Sequence, residues 1–149
     1  MAAPAKKPLF RYRYSLRSRY NETDQMGYIY HGRYLEYFEA ARTEMVREIG
    51  ISYKELEDSG VMLPVIHASL HFHSPIFYDE LIFVDVLIFE EPGVRLKTAY
   101  EVYSERQADK AHVSGEVHLC FMDIQNRRPV RAPKSFIEPL KLLIDEHLN

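Results

Sequence analysis

The residue whose type and setting best fit chemistry is Asp24, in a polar loop from Asn21 to Gly27 (NETDQMG) that runs toward an apolar-periodic stretch beginning near His31. A carboxylate at the mouth of a helix can take a proton from water as a general base or attack an electrophilic carbonyl directly. The unpaired N–H groups of the first helical turn can steady an oxygen as negative charge develops on it. The same aspartate is also the ordinary residue of a turn or a helix cap. Other reactive types are less well placed. His67, His71 and His73 fall on one face of a strand pattern, where side chains two apart can share a metal. No Cys-x-x-Cys or His-Glu-x-x-His motif completes a ligand set, so these histidines are read as structural or solvent-facing and no metal is expected. Cys120 sits in an apolar strand pattern as a small buried hydrophobe, and Ser114-Gly115 lacks the Gly-x-Ser-x-Gly turn of a serine nucleophile.

The elements that must position Asp24 follow from periodicity. Phe10, Tyr12, Tyr14 and Leu16 alternate with Arg11, Arg13, Ser15 and Arg17, which predicts a strand with one wet face. From about His31 to Ile49 the step changes to three or four, through Tyr34, Phe38, Ala41, Met45 and Ile49, and predicts a helix closed by Gly50. Ser52 and Glu55 form a capping box for a short helix over Tyr53 to Asp58. Strand patterns then recur over Ile66–Phe72, Leu81–Glu90, Val94–Ser104 and Ala111–Asp123, the last two as a meander of long antiparallel strands. One strand, one long helix and four more strands imply an α+β domain, a curled antiparallel sheet wrapped around one long central helix.

Bulk properties narrow the function classes. A chain of 149 residues suits one core, expected over residues 9–140, with a disordered lead over 1–8 and a C-terminal tail over 141–149. The net charge of −3 gives no global field for nucleic acid or an anionic membrane. The most apolar run, Leu81 to Phe89, is broken by Asp85 and falls far short of the ~20 residues a spanning helix needs, so no membrane insertion is expected. A single cysteine fits a reducing, cytoplasmic setting.

The run Arg19-Tyr20-Asn21-Glu22-Thr23-Asp24-Gln25-Met26-Gly27-Tyr28-Ile29-Tyr30-His31, continued by Tyr34 and Phe38-Glu39-Ala40-Ala41-Arg42, resembles the signature of 4-hydroxybenzoyl-CoA thioesterase-like hotdog proteins, and most closely the Tol-Pal-associated acyl-CoA thioesterase branch. That pattern is roughly Tyr-x-Asp-Thr-Asp-x-x-Gly-x-Val-Tyr-His; here Glu22 replaces the first aspartate and Ile29 the valine. The order of elements agrees over about residues 10 to 133, with Pro75 and Tyr78-Asp79-Glu80-Leu81 in place. The resemblance implies a hotdog fold and hydrolysis of acyl-CoA without a cofactor. It makes Asp24 the catalytic carboxylate and His31 the residue whose backbone N–H contacts the thioester carbonyl, with Gly27 and Tyr30 in the intervening motif. It also implies a homodimer or homotetramer with sites built between subunits.

Such chemistry needs little beyond these groups, because a thiolate whose conjugate acid has a pKa of about 8.5 leaves without a strong general acid. General-base and nucleophilic roles for Asp24 both remain open. The CoA phosphates require a local cationic rim, for which Arg127, Arg128, Arg131 and Lys134 are the densest candidates, although a charge run is also the ordinary dress of a solvated tail. Two alternatives stand beside acyl-CoA hydrolysis: cleavage of acyl carrier protein thioesters, and a regulatory module that binds acyl-CoA without cleaving it.

Overall fold

The computed structural model describes residues 6–148. The chain is α+β. Strand β1 (Phe10–Arg17) is followed by a 3-10 turn over Tyr20–Glu22, helix α1 (Arg33–Ile49) and helix α2 (Tyr53–Asp58). Strands β2 (Val61–Met62), β3 (Val65–Phe72), β4 (Leu81–Ile88), β5 (Arg95–Ser104), β6 (Val113–Cys120) and β7 (Met122–Asp123) lead to helix α3 (Lys134–Leu148). Five strands form one sheet in the order β1-β4-β5-β6-β3, all antiparallel, while β2 and β7 pair apart. Both β1 and β3 are therefore edge strands.

Helix α1 forms where the apolar stripe predicts it: Phe38, Ala41, Met45 and Val46 are wholly buried, and α1 packs on β4 and β1. Gly50 ends it with φ 104°, a left-handed cap that L side chains resist, its N–H reaching the carbonyls of Val46 and Arg47. The Ser52–Glu55 capping box starts α2: Ser52 Oγ accepts the Glu55 N–H at 3.2 Å and the Glu55 carboxylate accepts the Ser52 N–H at 3.3 Å.

Two expectations are corrected. The helix begins at Arg33, and His31 and Gly32 form the turn before it. The expected tail over 141–149 is, through Leu148, the second half of α3, which buries Phe136, Leu140 and Ile144, so the domain carries two helices of 17 and 15 residues rather than one long one. Apolar residues at that four-residue step must be covered, and burial outweighs the hydrogen bond lost at Pro139. Most of the expected disordered lead lies outside the described residues; Lys6 to Pro8 have no regular structure.

Two polar groups inside this core are fully satisfied. Asp85, wholly buried on β4, is held by Arg11 at 2.6 Å and Arg13 at 2.7 Å from β1. His112, also wholly buried, lies 2.8 Å through Nδ1 from Ser74 Oγ and 2.9 Å through Nε2 from Ser104 Oγ. Burial lowers the His112 pKa, with Arg106 acting the same way and Glu80 against it. The unfolded chain therefore binds more protons below the ordinary histidine value of about 6.5. Stability is at its full value above that pH and falls as the pH drops, by at most about 1.4 kcal/mol per unit from this residue. Urea midpoints at pH 5.0 and 8.0 are expected to converge in His112→Gln relative to the parent; an unchanged gap would locate the acid sensitivity elsewhere.

Candidate active site

The loop that delivers Asp24 is rigid for local reasons. Its backbone closes on itself: the Asp24 N–H donates to the Tyr28 carbonyl at 2.7 Å and the Gly27 N–H to the Asp24 carbonyl at 3.0 Å. Gly27 has φ 79°, which favours glycine in this turn. Asp24 Oδ1 accepts the N–H groups of Met26 (2.9 Å) and Tyr28 (3.1 Å). Among the described residues no group donates to Oδ2. One oxygen of this aspartate thus holds the turn, and the other is not needed for it. Glu22 braces the loop, accepting the Arg19 N–H at 2.7 Å with its carboxylate and the Tyr30 N–H at 2.8 Å with its carbonyl.

Asp24 lines a cleft of about 340 Å³ with Met26, Tyr28, Ile29, His31, Tyr34, Phe72, His73, Ser74 and Pro75. Ile29 ties the loop to the far wall through its N–H on the Ile76 carbonyl at 2.8 Å. The His31 ring lies 4.3 Å from that of Tyr30 and 6.3 Å from that of Phe72. Helix α1 has no side-chain cap, and among the described residues the N–H groups of His31 and Gly32 meet no protein acceptor. They are free donors at the positive end of a 17-residue helix.

The other candidates are scattered. Tyr30 is half exposed and does not line the cleft; it screens Gly32, where a Cβ would come within 2.8 Å of its ring. Arg127 and Arg128 are absent from the cleft. Their loop is anchored by the Asp123 N–H on the Arg128 carbonyl and the Ile124 N–H on the Gly60 carbonyl, which places it beside β2, just beyond the C-terminal end of α2. A single chain does not bring these arginines to Asp24.

Residue spacing did not reveal the far wall, Phe72 to Pro75, which the fold supplies. His73 lies 3.0 Å through Nε2 from Ser114 Oγ, and its N–H and that of Ser74 both donate to the His112 carbonyl, so buried His112 fixes this side of the cleft. The only local hint was Pro75 after a histidine-rich strand. Burial holds the Tyr34 hydroxyl protonated far above its ordinary range, so it can donate a hydrogen bond but not accept a proton as a base. Among the described residues no group of three His, Cys, Asp or Glu side chains is placed to hold a metal ion. A larger hollow of about 740 Å³ beside the end of β1 mixes Arg17, Arg19, Glu22, Glu36 and Asp79, but it contains neither Asp24 nor the free N–H pair.

A carboxylate oxygen, two unclaimed N–H groups and an apolar aromatic wall can together attack, or activate water toward, a carbonyl carbon and hold its oxygen. A Bacillus subtilis (strain 168) protein, YneP, provisionally named an acyl-CoA thioesterase, is 30% identical over 118 residues, 79% of this chain and 84% of its own. The acyl-CoA thioester hydrolase YbgC of Escherichia coli O6:H1 is 26% identical over 133 residues, covering 87% of this chain and 96% of its own. A crystal structure of a DHNA-CoA thioesterase from Staphylococcus aureus superposes with a TM-score of 0.79 at 26% identity, over 93% of this chain and 91% of that one. The description of the family that matches residues 18–140 is the thioesterase-like superfamily, and to that superfamily, with its hotdog fold, this chain belongs.

Proposed function

We propose that this thioester hydrolase cleaves acyl-CoA to a free acid and CoA, with Asp24 Oδ2 as general base or nucleophile and the N–H groups of His31 and Gly32 as the oxyanion donors. The observation that supports the reading is the cleft that Asp24 and His31 line together, with a carboxylate oxygen that meets no donor and two N–H groups before α1 that meet no acceptor among the described residues. Gly27 shapes the turn that aims Asp24, and Tyr30 shields the donors. Helix α1 serves as the central helix around which the sheet curls. The names of the relatives YneP and YbgC support the substrate class, and the loop motif supports the Tol-Pal-associated branch.

The active unit is a dimer or tetramer. Edge strand β3 leaves apolar side chains in the open, with Val65 and Phe72 each 53% exposed. An antiparallel two-fold pairing of β3 with a second copy would satisfy that edge and set the Val65 end of one chain beside the Phe72 end of the other. The loop carrying the partner's Arg127 and the partner's Arg128 then reaches the cleft of Asp24, where CoA phosphates need cations. On this reading Arg127→Ala with Arg128→Ala raises KM by on the order of tenfold at low salt and flattens its salt dependence. An unchanged KM at every ionic strength would remove these arginines from CoA binding. Among the described residues no helix is long and apolar enough to cross a membrane, and buried Cys120 fits a cytoplasmic location.

The test of the whole reading is free-thiol release from acetyl-, butyryl-, hexanoyl-, palmitoyl- and benzoyl-CoA. Thiol from at least one supports it. Turnover confined to protein-bound acyl groups would transfer the activity to acyl carrier protein thioesters, and bound acyl-CoA with no thiol would make the chain a binding module.

A further inference from the structure

His112 has no part in the Asp24 chemistry, yet it is wholly buried and each ring nitrogen meets one serine. Nδ1 lies 2.8 Å from Ser74 Oγ on the side of the cleft, and Nε2 lies 2.9 Å from Ser104 Oγ in the interior. The ladder pairs Phe72–Val113 and Val102–Val113 bring the three residues together. Burial, with Arg106 in support and Glu80 opposed, keeps the imidazole neutral at neutral pH, so it carries one N–H and its other nitrogen accepts. The hydrogen bonds decide which is which. Ser104 is wholly buried, and among the described residues its hydroxyl has no acceptor other than His112 Nε2. A buried O–H left unpaired is costly, so Ser104 donates to Nε2 and the ring proton sits on Nδ1. Nδ1–H then donates to Ser74 Oγ. The hydrogen of the Ser74 hydroxyl meets no protein acceptor among the described residues. Ser74 is half-buried in the wall of the Asp24 cleft, and His112 fills its interior side, so the cleft is where that hydrogen finds a partner. The wall is pinned in place, since the N–H groups of His73 and Ser74 both donate to the His112 carbonyl, at 2.8 and 3.1 Å.

We infer that Ser74 is a further hydrogen-bond donor to the substrate, giving its hydroxyl hydrogen to the reacting carbonyl oxygen, and that His112 and Ser104 are positioning residues that hold it in the donating state. The inference rests on the thioester reading of the Asp24 cleft. A donor suits the carbonyl oxygen better than the attacking water. A hydrogen bond given to the water draws on the lone pairs with which it attacks, whereas one given to the carbonyl strengthens as negative charge develops there. The chain from Ser104 through His112 to Ser74 adds to the effect, because each bond polarises the next and an N–H behind the Ser74 oxygen makes its hydroxyl a better donor than that of a lone serine.

The experiment measures kcat and KM in the parent, Ser74→Ala and Ser74→Thr, on the acyl-CoA that the parent cleaves fastest, with a melting curve for each. Folded Ser74→Ala is expected to lose roughly thirtyfold in kcat with KM within about threefold, less than the hundredfold or more that a sole donor is worth, because the His31 and Gly32 N–H groups remain. Ser74→Thr keeps the hydroxyl and is expected to stay within about threefold of the parent. A folded Ser74→Ala with the parental kcat, or a Ser74→Thr as slow as Ser74→Ala, would overturn the assignment. Nitrogen-15 spectra of the parent read the His112 tautomer without any turnover: the proton must sit on Nδ1, and a proton on Nε2 would overturn the donor role. Calorimetry with S-hexyl-CoA and S-(2-oxohexyl)-CoA, which differ by one carbonyl oxygen and hold no thioester, covers an inert protein. Ser74→Ala weakening the oxo compound by about fivefold and leaving S-hexyl-CoA unchanged would uphold Ser74 as a carbonyl donor while the missing turnover sinks the hydrolase reading. In an inert protein, an equal effect on both compounds, or none, overturns the donor as well.

Discussion

Asp24→Asn is expected to fold normally and to release thiol from its best acyl-CoA more slowly by on the order of a hundredfold or more, with KM little changed. The substitution separates the two duties of the residue. The asparagine carbonyl oxygen can still accept the Met26 and Tyr28 N–H groups, so the turn and the aim of the side chain persist. The second oxygen, which no protein group occupies among the described residues, becomes an amide NH2 that can neither take a proton nor attack a carbonyl. Steady-state kinetics beside a melting curve make the comparison. A fall in kcat without a fall in Tm is the signature of lost chemistry, whereas full activity in the variant would move the catalytic group off Asp24.

Gly115→Ala has the largest expected effect on stability, a loss of about 3 kcal/mol, the upper end of what overpacking costs. At this chain length that is a drop in Tm of roughly 6–12 °C. One methyl does so much because two neighbours meet it and neither can yield cheaply. The Ser69 carbonyl oxygen, 2.5 Å away, belongs to the backbone of β3, and the Phe38 ring, 2.8 Å away, is held by its stack on Tyr100. Relief comes only by opening the β3–β6 ladder around the Leu70–Gly115 pair. Combining Gly115→Ala with Phe38→Leu should recover part of the loss, since it removes the ring contact and leaves the carbonyl. A Tm for Gly115→Ala within a degree of the parent would mean that β3 shifts freely.

Much of this arrangement was legible where the physics is local. Alternation in Phe10–Arg17 reports a strand with one wet face, the three-to-four step from Tyr34 to Ile49 reports a helix, and Gly50 and the Ser52–Glu55 pair mark a stop and a start because each satisfies particular backbone groups. Helix α3 was legible in principle, with Phe136, Leu140 and Ile144 at a four-residue step, but Pro139 inside it argues locally for a break. Half of the site was legible for a different reason: the loop from Asn21 to Gly27 is continuous in sequence, so its turn chemistry is written in order. The far wall could not be read this way. Phe72 and His73 meet Asp24 only because β3 crosses to the outer side of β6, and no periodicity within β3 states which strand it will pair with. The distance between Arg127 and Asp24 was equally invisible, since a charge run carries no information about which end of a helix it will face.

The two rims of the sheet are unlike. The rim formed by β1 bears Arg11, Arg13 and Arg17, and its first residue, Phe10, packs against His147 near the end of α3. The rim formed by β3 bears valine, isoleucine, leucine and phenylalanine and has no such guard among the described residues. On the proposed pairing through β3, strand-to-strand growth would happen once. When two copies join through their unguarded rims, what the joined sheet offers the solution at both ends is arginine, and a third copy finds nothing to extend. Association of this kind would stop at a pair instead of running on into a fibre.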